Sequence, residues 1–203
     1  MIDNPFRSLL PAYSRTLIQT YQALNLSPNF VTILGCVVGI LSSVVTSQRF
    51  FLLGLVLWWL SRLFDGTDGI YARHIQNSTK FGAFLDINCD MLAYSSMILA
   101  FSCVWPEMFY FWLTTLALYI LCISGALSLG SLRGKMKNNK DRKLSLAAGL
   151  AEGGETGLYY SLILLLPAYV YQLTISWIGL LCLTVIARTL LAYQLLNNEK
   201  DES

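Results

Sequence analysis

Residues 29–47 of the chain read NFVTILGCVVGILSSVVTS, a run of 19 residues without a charged side chain. A transmembrane α-helix needs about 20 predominantly apolar residues to cross the hydrocarbon core of a bilayer. The only other structure that satisfies every backbone polar group in lipid is a closed β-barrel. The run does not alternate between apolar and polar positions as a barrel strand does. It therefore predicts a membrane-spanning α-helix.

The rest of the sequence repeats this pattern. Hydrophobic residues make up 55% of the 203 residues and charged residues only 13%, whereas a soluble domain carries about a quarter charged residues. We predict an all-α integral membrane protein with six transmembrane helices, at about Asn29–Ser47, Phe51–Phe64, Phe81–Trp105, Met108–Leu129, Thr156–Tyr171 and Thr174–Leu196. The second apolar run is short, so we expect its helix to continue into the polar residues after Phe64.

The segment before the first span has a different character. Apolar residues recur there at helical spacing between polar ones, which predicts an amphipathic helix on the membrane surface; these residues are Leu9, Leu10, Tyr13, Leu17, Tyr21 and Leu24. Ser27 is suited to cap the first span and Pro28 to its first turn. The whole chain, 1–203, is expected to be one domain, with the surface helix in 1–27, the six-helix bundle in 28–196 and a polar tail in 197–203.

The distribution of basic residues predicts the orientation in the membrane. Of the 14 Lys and Arg residues, 13 lie in the termini and in the loops after the second and fourth spans, and only Arg49 lies on the other side. By the positive-inside rule, both termini and those two loops are cytoplasmic. The net charge of +2 does not indicate a nucleic-acid partner. The compact chain, in which we identify no targeting signal, suggests the cytoplasmic (inner) membrane of a prokaryote.

Four carboxylates lie at the predicted cytoplasmic ends of two neighbouring spans. Asp65 and Asp68 end the second span, and Asp86 and Asp90 begin the third. Residues i and i+3, or i and i+4, share a helix face, so each pair projects together. If spans two and three are antiparallel neighbours, the two pairs face each other. Because Arg73 alone does not neutralise four acids, we predict a site for hard divalent cations, with a purely structural salt-bridge network or a cation transporter as alternatives.

The stretch that contains these acids resembles a known signature. It runs Asp65-Gly66-Thr67-Asp68-Gly69-Ile70-Tyr71-Ala72-Arg73, then eight residues, then Gly82, Asp86 and Asp90, each separated by three residues. The CDP-alcohol phosphatidyltransferase family has the pattern D-x-x-D-G-x-x-A-R, eight residues, G-x-x-x-D-x-x-x-D, and every specified position matches. The resemblance implies six spans behind an amphipathic helix, an active site that opens to the cytoplasm, and a homodimer formed through the third and fourth spans.

The resemblance also implies roles for individual residues. Two divalent ions, Mg²⁺ or Mn²⁺, would be held by Asp65, Asp68, Asp86 and Asp90. Asp90 would also act as the base that deprotonates the acceptor hydroxyl; a carboxylate that forms a covalent intermediate is the competing account. The residues expected to surround the CDP part of the donor are Pro28, Asn29, Thr32, Gly69, Ala72, Arg73, Thr79 and Gly82.

The implied reaction is transfer of a phosphatidyl group from a CDP-linked lipid, such as CDP-diacylglycerol, to a small alcohol, with release of CMP. The acceptor site is expected at Arg133, Arg188, Glu152 and Glu155. Family members that use inositol phosphate carry Glu-Arg-x-Glu-Arg where this chain has Glu152-Gly153-Gly154-Glu155-Thr156, so both arginines are missing. The two acids could equally cap the fifth helix. Glycerol 3-phosphate is the acceptor that we expect first, with serine, an aminoalcohol, inositol or its phosphate as alternatives.

Overall fold

A computed structural model describes residues 14–132 and 153–201 of the chain. These residues are almost entirely helical, which confirms the predicted all-α class for the part of the chain that is described. The α-helices are α1 (14–23), α2 (Pro28–Ser47), α3 (Phe51–His74), α4 (Lys80–Val104), α5 (Phe109–Leu132), α6 (Gly153–Leu165) and α7 (Val170–Asp201). Two short 3₁₀ turns, Pro106–Met108 and Pro167–Tyr169, precede α5 and α7.

Local sequence signals determine where several helices begin and end. Pro28 occupies the first turn of α2, and the Ser27 hydroxyl accepts a hydrogen bond from the Phe30 backbone N–H at 3.2 Å, as predicted for a helix cap. The helix after Phe50 continues without interruption through the polar residues to His74, as expected. The fifth span was expected to reach Tyr171, but its helix ends at Leu165, because Pro167 cannot donate a backbone hydrogen bond to a continuing helix.

The described helices include four that are long and apolar enough to cross a membrane: Pro28–Ser47, Lys80–Val104, Pro106–Ser131 and Pro167–Gln194. Every 18-residue window of α3 contains Arg62, Asp65 and Asp68, so its polar half does not resemble a lipid-exposed span. The described part of α6 has 13 residues, fewer than a span needs. The chain is an integral membrane protein, and the number of six spans stays a prediction.

Helix α2 is the centre of the first half of the bundle. It packs closely along both α3 and α4, whereas α3 and α4, which are described along their whole length, make few direct backbone contacts. The two helices contact each other through side chains, as between Arg62 and Asp90, so they are neighbours as expected, but their backbones are kept apart. Small residues explain the difference: a methyl group on Gly39 would lie 2.9 Å from the Ser61 hydroxyl and 3.0 Å from the Ala93 methyl group. Glycine lets α2 approach both neighbours at one level.

Hydroxyl groups reinforce this packing. The Ser61 hydroxyl donates to the Gly35 carbonyl at 2.7 Å, the Ser42 hydroxyl to the Gly54 carbonyl at 2.7 Å, and the Ser43 hydroxyl pairs with that of Ser96 at 2.9 Å. The first two bonds join α2 to α3, and the third joins α2 to α4. In lipid, where water does not compete for such groups, interhelical hydrogen bonds add to van der Waals packing.

Helix α6 joins the first half of the bundle to the second. It packs on α3, and α5 packs along α7. The contact between α3 and α6 is aromatic: the fully buried Trp58 and Tyr160 rings meet edge to face with centroids 5.0 Å apart. The Tyr160 hydroxyl also donates to the Tyr94 carbonyl of α4 at 2.9 Å. These contacts place the middle of α3 between α2 and α6.

The described part of α1 has one buried face. Ser14, Ile18 and Tyr21 are buried, at the spacing of a helix face, and Arg15 is exposed. The Tyr21 hydroxyl lies 3.0 Å from that of Thr67 in α3. Burial raises the pKa of Tyr21 above the ordinary value of a phenol, and either hydroxyl of this pair can donate. Residues 1–13, including Leu9 and Leu10, lie outside the described part, and the position of α1 on the membrane surface stays a prediction.

Candidate active site

A cleft of about 180 Å³ opens where three helices meet. Its walls are the start of α2, the end of α3, the loop that follows α3, and the start of α4. All eight residues expected to surround the CDP part of the donor line this cleft, namely Pro28, Asn29, Thr32, Gly69, Ala72, Arg73, Thr79 and Gly82. Two of the four acids, Asp68 and Asp86, line it as well. The structure thus brings the predicted donor residues to one place.

Glycine keeps one wall of the cleft open. A methyl group on Gly82 would lie 3.1 Å from the Asn29 side-chain oxygen and 3.2 Å from the Thr79 hydroxyl, closer than most contacts of this kind. The Thr79 hydroxyl accepts a hydrogen bond from the Gly82 backbone N–H at 2.9 Å and so caps α4. Thr79 therefore has a structural role in the start of α4, in addition to its position in the cleft.

The cleft combines several sources of positive potential. The first turns of both α2 and α4 line it, and the N-terminal end of an α-helix carries partial positive charge. Arg73, near the end of α3, is exposed and also lines the cleft. Helix N-termini and arginine are common partners of phosphate groups in proteins. This part of the site is suited to bind a diphosphate.

The four acids gather beside the cleft. Asp68 is buried, and its carboxylate accepts a hydrogen bond from the Thr32 hydroxyl. The side chains of Asp65 and Asp90 are 27% and 25% exposed. The carboxylate of Asp86 is close enough to those of Asp68 and Asp90 for mutual repulsion, and Asp65 likewise interacts with Asp90. The two acid pairs thus face each other, as predicted, although α3 and α4 are held together largely through α2.

An arginine that the sequence analysis did not single out lies within this cluster. The Arg62 Nη1 atom is 2.5 Å from Asp90 Oδ1 and 3.4 Å from Asp65 Oδ2. The expectation that Arg73 is the only base near the acids is therefore wrong. The spacing of Arg62 and Asp65, three residues apart on one helix, is a signal that could have indicated this pair. The contact with Asp90 comes from another helix and has no local signal.

The donor set fits a hard divalent cation in its chemistry. Four carboxylates supply only oxygen ligands, the type that Mg²⁺ and Mn²⁺ prefer. Within residues 14–132 and 153–201, the guanidinium that contacts these acids is that of Arg62, which stands in for a cation between Asp65 and Asp90. Among the described residues, no three His, Cys, Asp or Glu side chains already converge on one point as ligands of a single ion.

Two of the four residues expected at the acceptor site, Arg188 and Glu155, lie in the described part of the chain. Arg188, on α7, is half-buried, and its guanidinium donates to the Cys122 carbonyl of α5 at 2.6 Å. Glu155 lies in the first turn of the described α6, where an acid interacts favourably with the helix dipole. Arg133 and Glu152 lie outside the described residues. The structure therefore places Arg188 and Glu155 in helix contacts and leaves their binding role a prediction.

Comparisons with known proteins identify similar sequences and folds. A family model described as CDP-alcohol phosphatidyltransferase matches residues 25–188. The inner membrane protein YnjF of Escherichia coli (strain K12) is 31% identical over 173 residues, which cover 80% of this chain and 82% of that protein. The CDP-diacylglycerol–inositol 3-phosphatidyltransferase of Candida albicans is 23% identical over 202 residues, which cover 96% of this chain and 86% of that protein.

A solved structure has a similar fold. The phosphatidylinositol phosphate synthase of Mycobacterium tuberculosis, with CDP-DAG bound, has a TM-score of 0.57 to this chain at 18% identity, with 92% of each chain covered. The same protein in complex with manganese and citrate has a TM-score of 0.55 at 18% identity, with 91% of this chain and 87% of that chain covered. At this level of identity the likeness shows a shared fold.

Proposed function

The chain belongs to the CDP-alcohol phosphatidyltransferase family of membrane-bound transferases of phospholipid biosynthesis, and we propose that it transfers a phosphatidyl group from CDP-diacylglycerol to an inositol-class acceptor. The observation that carries this proposal is the cleft. It gathers all eight residues expected to bind the donor beside two of the four signature acids. A cation transporter, the alternative that the acids alone allow, gains no support from the family or from the fold.

The donor is proposed to bind with its diphosphate in the cleft and its acyl chains in the bilayer. The first turns of α2 and α4 and the Arg73 guanidinium surround this position with positive potential. The lack of a side chain at Gly69 and Gly82 leaves room for the ribose and cytosine. The solved relative with CDP-DAG bound supports a donor of this class.

The acids are proposed to supply the chemistry. Divalent metal held by Asp65, Asp68, Asp86 and Asp90 would stabilise the charge that develops on the phosphoryl oxygens. Asp90 removes the proton from the acceptor hydroxyl, and the acceptor oxygen then forms a bond to the lipid-side phosphorus. The bond from that phosphorus to the bridging oxygen breaks, and CMP leaves. The solved relative in complex with manganese supports the type of ion, and two ions remain our proposal.

The proposed acceptor differs from the first expectation. The names of the relatives give no support to glycerol 3-phosphate and point to inositol or its phosphate. This chain lacks the two arginines of the Glu-Arg-x-Glu-Arg segment, where it has Gly153 and Thr156. Arginine is the side chain best suited to bind a phosphate group through two hydrogen bonds. We therefore favour unphosphorylated inositol over inositol phosphate.

The orientation and the assembly of the protein remain proposals. The positive-inside count supports both termini and the cleft on the cytoplasmic side, and the match to an inner membrane protein supports the membrane itself. We also propose a homodimer through α4 and α5. Both helices expose large apolar side chains, such as Leu99 and Leu113, that would contact either lipid or a partner.

The test is CMP release by the purified protein in detergent. CDP-diacylglycerol and Mn²⁺ are supplied with one acceptor at a time: inositol, inositol phosphate, glycerol 3-phosphate, serine and ethanolamine. We expect release that depends on inositol and is abolished by EDTA. Release with glycerol 3-phosphate instead would refute the proposed acceptor, and no acceptor-dependent release at all would refute the proposed reaction.

The Asp90→Asn variant tests the assignment of the base. It should lower turnover by at least about 100-fold, the usual contribution of a general base, while binding of CDP-diacylglycerol persists. Lys80→Gln, an exposed change at the start of α4, is the control. Near-normal turnover of Asp90→Asn would contradict the assignment.

A further inference from the structure

Arg62 is held within the acid cluster by ion pairs, hydrogen bonds and cation–π contacts, and its buried Nε atom has no hydrogen-bond partner among the described residues. Its Nη1 atom contacts Asp90 at 2.5 Å and Asp65 at 3.4 Å and donates to the Tyr94 hydroxyl at 3.1 Å. Its Nη2 atom donates to the Ser61 hydroxyl at 3.2 Å. The guanidinium carbon lies 4.8 Å from the centroid of the Trp58 ring and 5.0 Å from that of Tyr94. Only 11% of the side chain is exposed.

The position of Arg62 conflicts with the role proposed for the acids. A carboxylate oxygen that accepts a hydrogen bond from a guanidinium at 2.5 Å cannot use the same electron pair to bind a metal ion. A guanidinium and a divalent cation within a few ångströms of each other also repel strongly at the low effective dielectric constant of a buried site. Arg62 and a metal ion therefore compete for the same oxygen atoms of Asp65 and Asp90.

We propose that Arg62 is the internal counter-ion of the acid cluster and that it competes with divalent metal for Asp65 and Asp90. In the metal-free protein the guanidinium neutralises these two acids and keeps the cluster folded. Binding of metal then breaks the contacts of Arg62 with the carboxylates. This inference rests on the proposed metal-dependent function.

Arg62 keeps other partners when a metal ion binds Asp65 and Asp90. The faces of Trp58 and Tyr94 and the hydroxyls of Ser61 and Tyr94 belong to the packed interior and are not among the proposed metal ligands. Aromatic faces stabilise a guanidinium by the cation–π interaction, most strongly where water is excluded. A small displacement of the guanidinium away from the acids therefore does not leave it without partners.

The experiment is a titration of the full-length protein in detergent with Mn²⁺, followed by electron paramagnetic resonance of the free ion. Competition predicts that Arg62→Gln binds Mn²⁺ about tenfold more tightly than the wild type, because metal no longer displaces a resident cation. If Arg62 has a purely structural role, Arg62→Gln should bind Mn²⁺ more weakly than the wild type, because the acids would be disordered. Unchanged or weaker binding by a folded Arg62→Gln protein overturns the inference.

Thermal unfolding gives a second readout that does not depend on activity. Without metal, Arg62→Gln should unfold at a lower temperature than the wild type. Saturating Mn²⁺ should then raise the melting temperature of the variant by more than it raises that of the wild type. An equal or smaller increase counts against competition. The matched control is Arg49→Gln, which removes another arginine. Arg49 donates to the Val104 carbonyl at 3.2 Å, at the end of α4 that is far from the acids. It should leave Mn²⁺ binding unchanged.

A further variant covers the case in which Arg62→Gln does not fold. Arg62→Lys keeps the charge but loses the fork that reaches several partners, and it should bind Mn²⁺ about threefold more tightly than the wild type. Wild-type or weaker affinity would overturn the inference. If the wild-type protein itself does not bind Mn²⁺, the proposed function fails, whereas wild-type binding with no gain in the variants refutes competition alone.

Discussion

The Gly39→Ala substitution tests whether α2 sets the spacing of the two helices that carry the acids. A methyl group at this position would lie 2.9 Å from the Ser61 hydroxyl on α3 and 3.0 Å from the Ala93 methyl group on α4. Ordinary contacts of this kind begin at 3.4 Å, so both helices would have to move outward by about 0.5 Å. Neither neighbour can turn aside, because Ala93 has no side-chain rotamers and the Ser61 hydroxyl is bonded to the Gly35 carbonyl at 2.7 Å.

The expected cost follows from two opposing effects. Overpacking of a close-packed interior costs about 1–3 kcal/mol, and two unyielding neighbours place this site near the upper value. Replacement of glycine by alanine inside a helix returns about 1 kcal/mol. The net loss is therefore about 2 kcal/mol, which lowers the melting temperature of a protein of this size by about 4–8 °C.

The same displacement should also reduce turnover. Misplacement of catalytic groups by about 1 Å can cost about 100-fold in rate, so a shift of half that size should cost about tenfold. The assays are thermal unfolding in detergent and acceptor-dependent CMP release by the same preparation. The matched control is Gly179→Ala on α7, where no atom lies within 4 Å of the added methyl group. It should be as stable as the wild type or slightly more stable.

The two substitutions discriminate between the arrangements of the helices. If Gly39→Ala and Gly179→Ala have the same melting temperature, α2 does not approach α3 and α4 as closely as described. If stability falls while turnover is unchanged, the close approach is real but does not set the spacing of the acids. Either result would refute this part of the reasoning.

Three further substitutions test the cleft and the first helix. Gly82→Ala places a methyl group 3.1 Å from the Asn29 side-chain oxygen in the cleft wall. It should raise KM for CDP-diacylglycerol about tenfold with little change in kcat. The control, Gly130→Ala, has open space around the added methyl group and should leave KM unchanged. Thr32→Val removes the hydrogen bond to Asp68 and should weaken Mn²⁺ binding about tenfold in a calorimetric titration; unaltered affinity would contradict this. Tyr21→Phe should cost about 1 kcal/mol in thermal unfolding through loss of the bond to Thr67, an effect absent from Tyr110→Phe, which is exposed.

Much of the site could be predicted because its information is local. The signature from Asp65 to Asp90 lies on the end of α3 and the start of α4, and its spacings match helix faces. Ser27 and Pro28 similarly indicate the start of α2 from their positions alone. Residues that act through the helix on which they lie can be placed once the helix is recognised. The expectation for the donor residues came from the family resemblance, and their meeting in one cleft depends on the packing of α2, α3 and α4.

The features that sequence analysis missed depend on contacts between helices. Arg62 was assigned to the cytoplasmic side by its charge, and its contact with Asp90 requires knowledge of how α4 lies against α3. The place of α2 between α3 and α4 depends on Gly39 and its close neighbours, and glycine has no periodic pattern that identifies the face it packs. Side-chain chemistry is thus readable along one helix, whereas the pairing of helices requires the fold.

The charges around the cleft imply that donor and metal bind interdependently. Asp68 and Asp86 line the same cleft as Arg73, so a diphosphate that entered without a cation would meet two carboxylates beside one guanidinium and two helix N-termini. Burial strengthens both the attractions and the repulsions, because the effective dielectric constant is far below that of water. A divalent ion bound to the acids turns their repulsion of the diphosphate into attraction and so strengthens donor binding. By linkage, the donor must strengthen metal binding by the same factor. Competition by Arg62 lowers the affinity for metal, so the coupling free energy from a bound CDP-lipid decides whether the complete site assembles.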